Sequence, residues 1–290
     1  MTNRFKSATD FRKSLEARLK DISAKTGEDL QRIRRKVAFD RFLTRIFSSQ
    51  KGASNFLLKG GYAMELRFDT ARATKDIDLT YLGRFNGSVE KAIEAEILEE
   101  LRIIARLDLE DFFVYQIGES QLDLENAPYG GARYPVVTLI DGRRFVNFKM
   151  DVGLDILVNQ VEKIKGHDWL DFCQVSAPEI PMITIEQQFA EKLHAYTLPR
   201  EGSFNSRVKD LIDIVLLINK RSFDLSACRQ ATNTVFKVRS THSLPEKLLP
   251  PPEEWDLPYQ RMAQECSIDL NISSAFEEMQ KIHRLVRQSS

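Results

Sequence analysis

One stretch, residues 56–83, restricts the folds open to this 290-residue chain more than any other: FLLKGGYAMELRFDTARATKDIDLTYLG. The apolar run Phe56-Leu57-Leu58 has the length of a buried strand and stops at Lys59-Gly60-Gly61. The residues from Gly60 then read as a helix opened by glycines. Fifteen residues after Gly61, Asp76 and Asp78 alternate with Ile77 and Leu79, which is the period of a strand. Side chains at i and i+2 share a strand face. The two carboxylates therefore stand together, with Cα atoms roughly 7 Å apart. Like charges that close repel unless a cation lies between them. Magnesium suits such a pair, because it takes one or two protein carboxylates and completes its shell with water and phosphate oxygens. Glycine between strand and helix lets backbone approach a ligand closely, and amides at a helix start attract anions, phosphate among them. Taken singly, a D-x-D commonly marks a solvated edge strand and a Gly-Gly pair a turn. Together, on consecutive strands, they describe a phosphate cradle beside a metal-binding pair of acids.

A two-metal site wants a third carboxylate, and "FVNFKMDVGLD" offers one. Alternation sets Val146, Phe148 and Met150 on one face and Asn147, Lys149 and Asp151 on the other, with Asp151 at the strand's end just before Val-Gly. "FFVYQIG" and "RYPVVTLI" are further strands, rich in aromatic and β-branched residues. Helical spacing covers 9–22, 28–48 and 89–107, and returns after "SAPEIP" over 185–198, 207–219, 225–238 and 259–288. Strands mixed with helices in this way predict an α+β sheet domain over 1–180, leading helices included, and a helical domain over 181–290. Pro250, Pro251 and Pro252 cannot continue a helix, so 244–258 reads as an extended connector.

Basic and acidic residues balance at 42 each, so bulk charge names no partner and a nucleic-acid contact needs a local basic patch. Candidates are Arg32, Arg34, Arg35 and Lys36, then Arg143 and Arg144, then Lys237 and Arg239. Cys173, Cys228 and Cys266 are scattered and form no CxxC pair, which fits buried thiols in a cytoplasmic protein. No apolar run has the length of a membrane span. P-loop, dinucleotide-binding, HExxH, nucleophile-elbow and protein-kinase motifs are absent.

In order along residues 30–285, "FLLKGGYAMELRF…RATKDIDLTY", "FKMDVGLD", "PMITIEQQFAEKLHAYTL", "NSRVKDLIDIVLL" and the proline connector before Trp255 resemble the nucleotidyltransferase toxins of the AbiEii/MenT type, a branch of the DNA polymerase β-like superfamily. The resemblance implies that fold and assigns roles residue by residue. Asp76, Asp78 and Asp151 match the metal-binding acids, and Asp151 helps to activate the attacking hydroxyl. Lys59, Gly60 and Gly61 match the phosphate loop. Arg72 and Thr74 match its R-x-T lead-in to the D-x-D. Lys192 matches a lysine that holds the triphosphate or the incoming strand. Lys209, Asp210 and Asp213 match the helix that orients Lys192. The broad superfamily commonly has Ser after the glycine pair, where this chain has Tyr62.

The chemistry implied is transfer of a nucleoside monophosphate from an NTP to a hydroxyl, with two Mg²⁺ ions. The acceptor implied is an RNA, a tRNA 3′ end, whose modification arrests growth in a toxin–antitoxin or phage-defence system with a cognate antitoxin. A small hydroxyl acceptor of the aminoglycoside kind, or a non-catalytic partner-binding role, would use the same motifs. The preferred base and the oligomeric state are not legible.

Overall fold

The computed structural model describes residues 5–83, 90–121, 130–158, 160–199, 207–220 and 222–288. In chain order the elements are α1 (Ala8–Thr26), α2 (Leu30–Ser48), α3 (Gln50–Asn55), β1 (Phe56–Lys59), α4 (Gly60–Arg67), β2 (Asp76–Tyr81), α5 (Glu90–Ala105), β3 (Phe113–Ile117), β4 (Gly131–Ile140), β5 (Arg143–Leu154), β6 (Glu162–Lys165), β7 (Glu179–Met182), α6 (Ile185–Thr197), α7 (Val208–Ile218), α8 (Leu225–Arg239), α9 (Asp256–Glu265) and α10 (Ile272–Arg287). The fold is α+β with one mixed seven-stranded sheet, in the order β3-β4-β5-β2-β1-β7-β6. Two compact units divide the chain.

The first unit holds residues 1–62, 73–156 and 163–182. At its centre β2 runs parallel to β5 and antiparallel to β1. β4 and β5 form an antiparallel hairpin through Asp141 and Gly142, both with positive φ, and a bulge shifts their register between Thr138 and Leu139. Phe148, Met150 and Val152 of β5 are buried on one face, while Asn147 and Lys149 are exposed on the other. The buried face meets α2, with Phe39 4.9 Å from both Phe148 and Tyr62, ring to ring. Burying that much aromatic surface is a main source of the unit's stability. α2 also carries two buried arginines, and Asp111 accepts from both: from Arg41 Nε at 2.7 Å and from Arg45 Nη2 at 2.6 Å. Those two cations outweigh the burial that would otherwise raise Asp111, and hold its carboxyl below the usual range.

The second unit gathers 183–290 with two earlier segments, Ala63–Arg72 and Leu157–Glu162. Side chains of α6 to α10, with Trp255 just before α9, form its core, among them Phe189, Leu193, Leu211, Val215, Tyr259 and Met279. The helix expected over 259–288 is two helices. Ser267 takes a left-handed φ of +53°, which ends α9, and Asn271 starts α10 by accepting the Ser274 amide at 2.9 Å. β7 begins in "SAPEIP" and ends at Met182, a stretch read from sequence only as a lead-in to helix. Its four residues include Pro181, and it joins the sheet through the parallel pair of Leu58 with Met182. Among the described residues no helix is long and apolar enough to cross a membrane.

Candidate active site

The sheet of the first unit sets four charged residues abreast on four neighbouring strands. Lys59 of β1 stands opposite Asp78 of β2, Asp78 beside Asp151 of β5, and Asp151 opposite Arg133 of β4. Side chains paired in register share a face, so the row reads plus, minus, minus, plus. Asp76, two residues before Asp78, belongs to the same face. The D-x-D and the third acid are thus on adjacent parallel strands. β5 runs three residues beyond Asp151, to Leu154.

The glycine pair serves this row directly. Gly60 has φ +68°, and a Cβ there would lie 2.0 Å from Asp78 Oδ2. Only glycine allows the turn to close on that carboxylate. The amide of Gly61, in the first turn of α4, donates to Asp78 Oδ2 at 3.2 Å, so the positive end of the helix faces the acid. Thr74 packs against Gly61 as closely, since a Cβ on Gly61 would come 2.6 Å from Thr74 Oγ1. Tyr62, at the position where the superfamily commonly has Ser, points into the core and donates its hydroxyl to Asp40 Oδ1 at 2.5 Å. Lys59 Nζ pairs with the buried Asp155 at 3.1 Å. Asp155, four residues beyond Asp151, thus anchors the lysine.

Asp151 is held by the base across from it on β4. Both its oxygens accept from Arg133, from Nε and Nη2 at 2.6 Å each. That hydrogen-bonded pairing, with the fields of Asp151, Asp76 and Asp78, raises the guanidinium above its ordinary value against the effect of burial. Arg133 is the residue that sequence reasoning missed. Among the described residues no three Asp, Glu, His or Cys side chains are gathered closely enough to hold one ion. The donors nonetheless suit a hard divalent cation: three carboxylates, two abreast on neighbouring strands and the third two residues along.

The second unit holds the other predicted residues. Lys192 of α6 reaches Asp213 at 2.7 Å and Asp210 at 3.1 Å, both on α7. Arg72 grips Asp213 with a fork, Nε to Oδ1 at 2.9 Å and Nη2 to Oδ2 at 2.8 Å. Asp210 and Asp213 are buried, three residues apart on one helix face. Burial alone would lower the Lys192 ammonium and raise the Asp213 carboxyl. The opposite charges reverse both shifts, so Lys192 is raised and Asp213 lowered. No acid one turn away on α6 pairs with Lys192; its partners come from α7. Glu191, its neighbour in sequence, faces Arg239 of α8 at 3.3 Å instead. Lys209 is exposed on α7 and lies within the fields of Asp210, Arg72 and Lys192; desolvation and the two cations lower its ammonium against Asp210.

The basic patches resolve differently from one another. Arg32 and Lys36 both meet Glu28, at 3.1 and 2.7 Å, and Arg34 meets Glu16 at 2.5 Å, so much of that run is neutralised locally. Arg143 and Arg144 are exposed on the hairpin.

The sequence matches the model of a family described as the nucleotidyl transferase AbiEii toxin of type IV toxin–antitoxin systems, over residues 41–281. No curated protein matches the chain. Among solved structures, the nucleotidyltransferase toxin MenT4 of Mycobacterium tuberculosis aligns with a TM-score of 0.57 at 14% identity, over 94% of this chain and 99% of its own. Two Helicobacter pylori proteins, one of them JHP933, align at 14% identity with TM-scores of 0.46 and 0.43, over 87% and 85% of this chain and 93% and 88% of theirs.

Proposed function

This chain belongs to the AbiEii nucleotidyltransferase toxin family, and from that premise we propose that it transfers a nucleoside monophosphate from an NTP to an RNA acceptor, a tRNA 3′ end, with Mg²⁺ at Asp76, Asp78 and Asp151. The observation that carries the reading is the register of the sheet. Asp78 and Asp151 are neighbours on parallel strands, Asp76 shares their face, and a glycine turn closes on Asp78.

When bound, the divalent ions would neutralise charge on the α-phosphate and the leaving pyrophosphate and lower the pKa of the acceptor hydroxyl. The chain's own groups supply the rest. Asp76 and Asp78 present oxygens from one strand face, and the Gly61 amide steadies Asp78. Asp151, once released by Arg133, would take the acceptor's proton. Lys59, with Gly60 and Gly61, places positive charge and backbone donors at the end of β1, where phosphate oxygens would be held. Thr74 packs the turn that leads into the D-x-D. Lys192 is assigned to the triphosphate, with Asp210, Asp213 and Arg72 fixing its ammonium and Lys209 on the same helix bordering the nucleotide. The protein would act in the cytoplasm as the toxin of a pair, restrained by its antitoxin.

The test is incubation of the purified protein with total tRNA, Mg²⁺ and each labelled NTP in turn. Label on the RNA is the expected result. Label passing only to a small hydroxyl compound would replace the RNA acceptor with a small-molecule one, and no turnover with any NTP would leave a partner-binding protein on this fold.

A further inference from the structure

One end of the row of acids is held by a basic side chain. Arg133 closes both oxygens of Asp151 in a fork at 2.6 Å each, the strongest geometry a guanidinium offers a carboxylate. The pair is well shielded, with side-chain exposures of 27% and 14%, so solvent weakens it less than it would a surface pair. The oxygens engaged are the two through which Asp151 would hold a divalent ion. Asp76 and Asp78 also attract the Arg133 guanidinium. A monovalent and a divalent cation drawn to the same carboxylates repel each other. Each carboxylate oxygen has a second lone pair, yet an ion drawing on both Asp151 oxygens must loosen or displace the fork.

We propose that Arg133 is a built-in competitor for the divalent ion at Asp151: a positioning residue that orients the third carboxylate and sets how much ion the site needs before all three acids engage it. The proposal rests on the reading of Asp76, Asp78 and Asp151 as the ion's ligands. It assigns to β4 a regulatory charge that none of the family-like motifs contains. It also gives the enzyme a threshold, because Asp151 is delivered to the reaction only once ion and substrate together outweigh Arg133.

The test titrates the full-length protein with Mn²⁺, following free Mn²⁺ by electron paramagnetic resonance. Wild type and Asp78→Asn establish the site, and Asp78→Asn should bind more weakly. Equal binding by those two overturns the carboxylate reading, and this inference with it. Arg133→Met keeps the length and removes the charge, and should bind Mn²⁺ roughly tenfold more tightly than wild type. Arg133→Lys keeps the charge and loses the fork, and should tighten binding less than Arg133→Met does. In an Asp151→Asn background, Arg133→Met should raise the affinity less than it does in wild type, because the contested carboxylate charge is gone. If Arg133→Met binds Mn²⁺ as wild type does or more weakly, Arg133 assists the ion and the competition is refuted. Should Arg133→Met fail to fold, Arg133→Lys decides alone: a gain in affinity supports competition, and none refutes it.

Discussion

Replacing Gly60 with alanine probes the glycine turn, and the protein contains its own control. Gly60 and Gly27 both have left-handed φ, +68° and +74°. An L-residue in that region costs roughly 1–2 kcal/mol. A Cβ on Gly27 would meet nothing within 4 Å, so Gly27→Ala isolates the backbone cost. At Gly60 the new carbon would lie 2.0, 2.4 and 2.6 Å from Oδ2, Cγ and Cβ of Asp78. Because the Asp78 Cβ is among the obstructed atoms, rotating the carboxylate alone does not clear the clash. Opening the shortest contact to roughly 3.0 Å moves the acid by about 1 Å, and a misplacement of that size costs on the order of a hundredfold in rate. The Gly61 amide bond to Asp78 is lost as well, worth about 1 kcal/mol. Gly60→Ala should therefore lose about 2–3 kcal/mol in urea unfolding and about a hundredfold in nucleotidyl transfer, against about 1–2 kcal/mol, about 1 kcal/mol less than Gly60→Ala, and unchanged transfer for Gly27→Ala. Equal stability losses in the two variants, with Gly60→Ala fully active, would show that the turn does not position Asp78.

Three further outcomes are expected. Asp78→Ala should abolish growth arrest on overexpression while the purified variant keeps its circular dichroism spectrum, and an equally toxic folded variant would separate toxicity from the carboxylates. Lys192→Met leaves Asp210 and Asp213 buried with only arginines as partners, so unfolding should cost less by about 2–3 kcal/mol, and a variant as stable as wild type in urea would rule out a structural share for the lysine. Stability should fall with acid in two stages. His242 and His283 are lowered by burial, which at His283 outweighs the opposing effect of the Pro245 carbonyl 3.0 Å away, so the unfolded chain takes up their protons first and stability declines as pH drops below about 6.5. Asp111 and Asp213 are held below the usual carboxylate range, so their contribution is complete above about pH 4 and is lost as pH falls further toward their folded values. A flat unfolding free energy between pH 7 and pH 5 would refute the first stage.

The readable parts of this fold are those whose signal is local. Strand β1, the glycine turn, α4 and the D-x-D strand lie within thirty residues, and each declares itself by apolar run length, a backbone requirement or period-two alternation. The KDLID helix is legible for the same reason, because Asp210 and Asp213 share a face whatever packs on it. What escaped depends on partners distant in sequence. β7 has four residues and a proline, too little for a periodic signal. The break between α9 and α10 turns on one left-handed serine that no glycine advertises. Arg133 alternates with buried residues along β4 and reads as an ordinary solvated side chain. Its partner follows from pairing with another strand, which one strand's residues do not reveal.

The bulge in the β4–β5 hairpin settles that partnership by parity. Next to the turn, Ile140 pairs with Arg143 and Leu139 with Arg144, and beyond the bulge Thr138 pairs with Val146, leaving Phe145 as the extra residue. Carried on without that extra residue, the count would bring Arg133 opposite Met150, a core position, and Asp151 opposite the alanine at 132. One surplus residue near the tip thus converts an odd offset to an even one some five residues away, and brings base and acid face to face. A single-residue deletion at the tip would uncouple them with both side chains still in the sequence. The hairpin is therefore where relatives of this chain can gain or lose the arginine's hold on the third acid without altering any residue of the row itself.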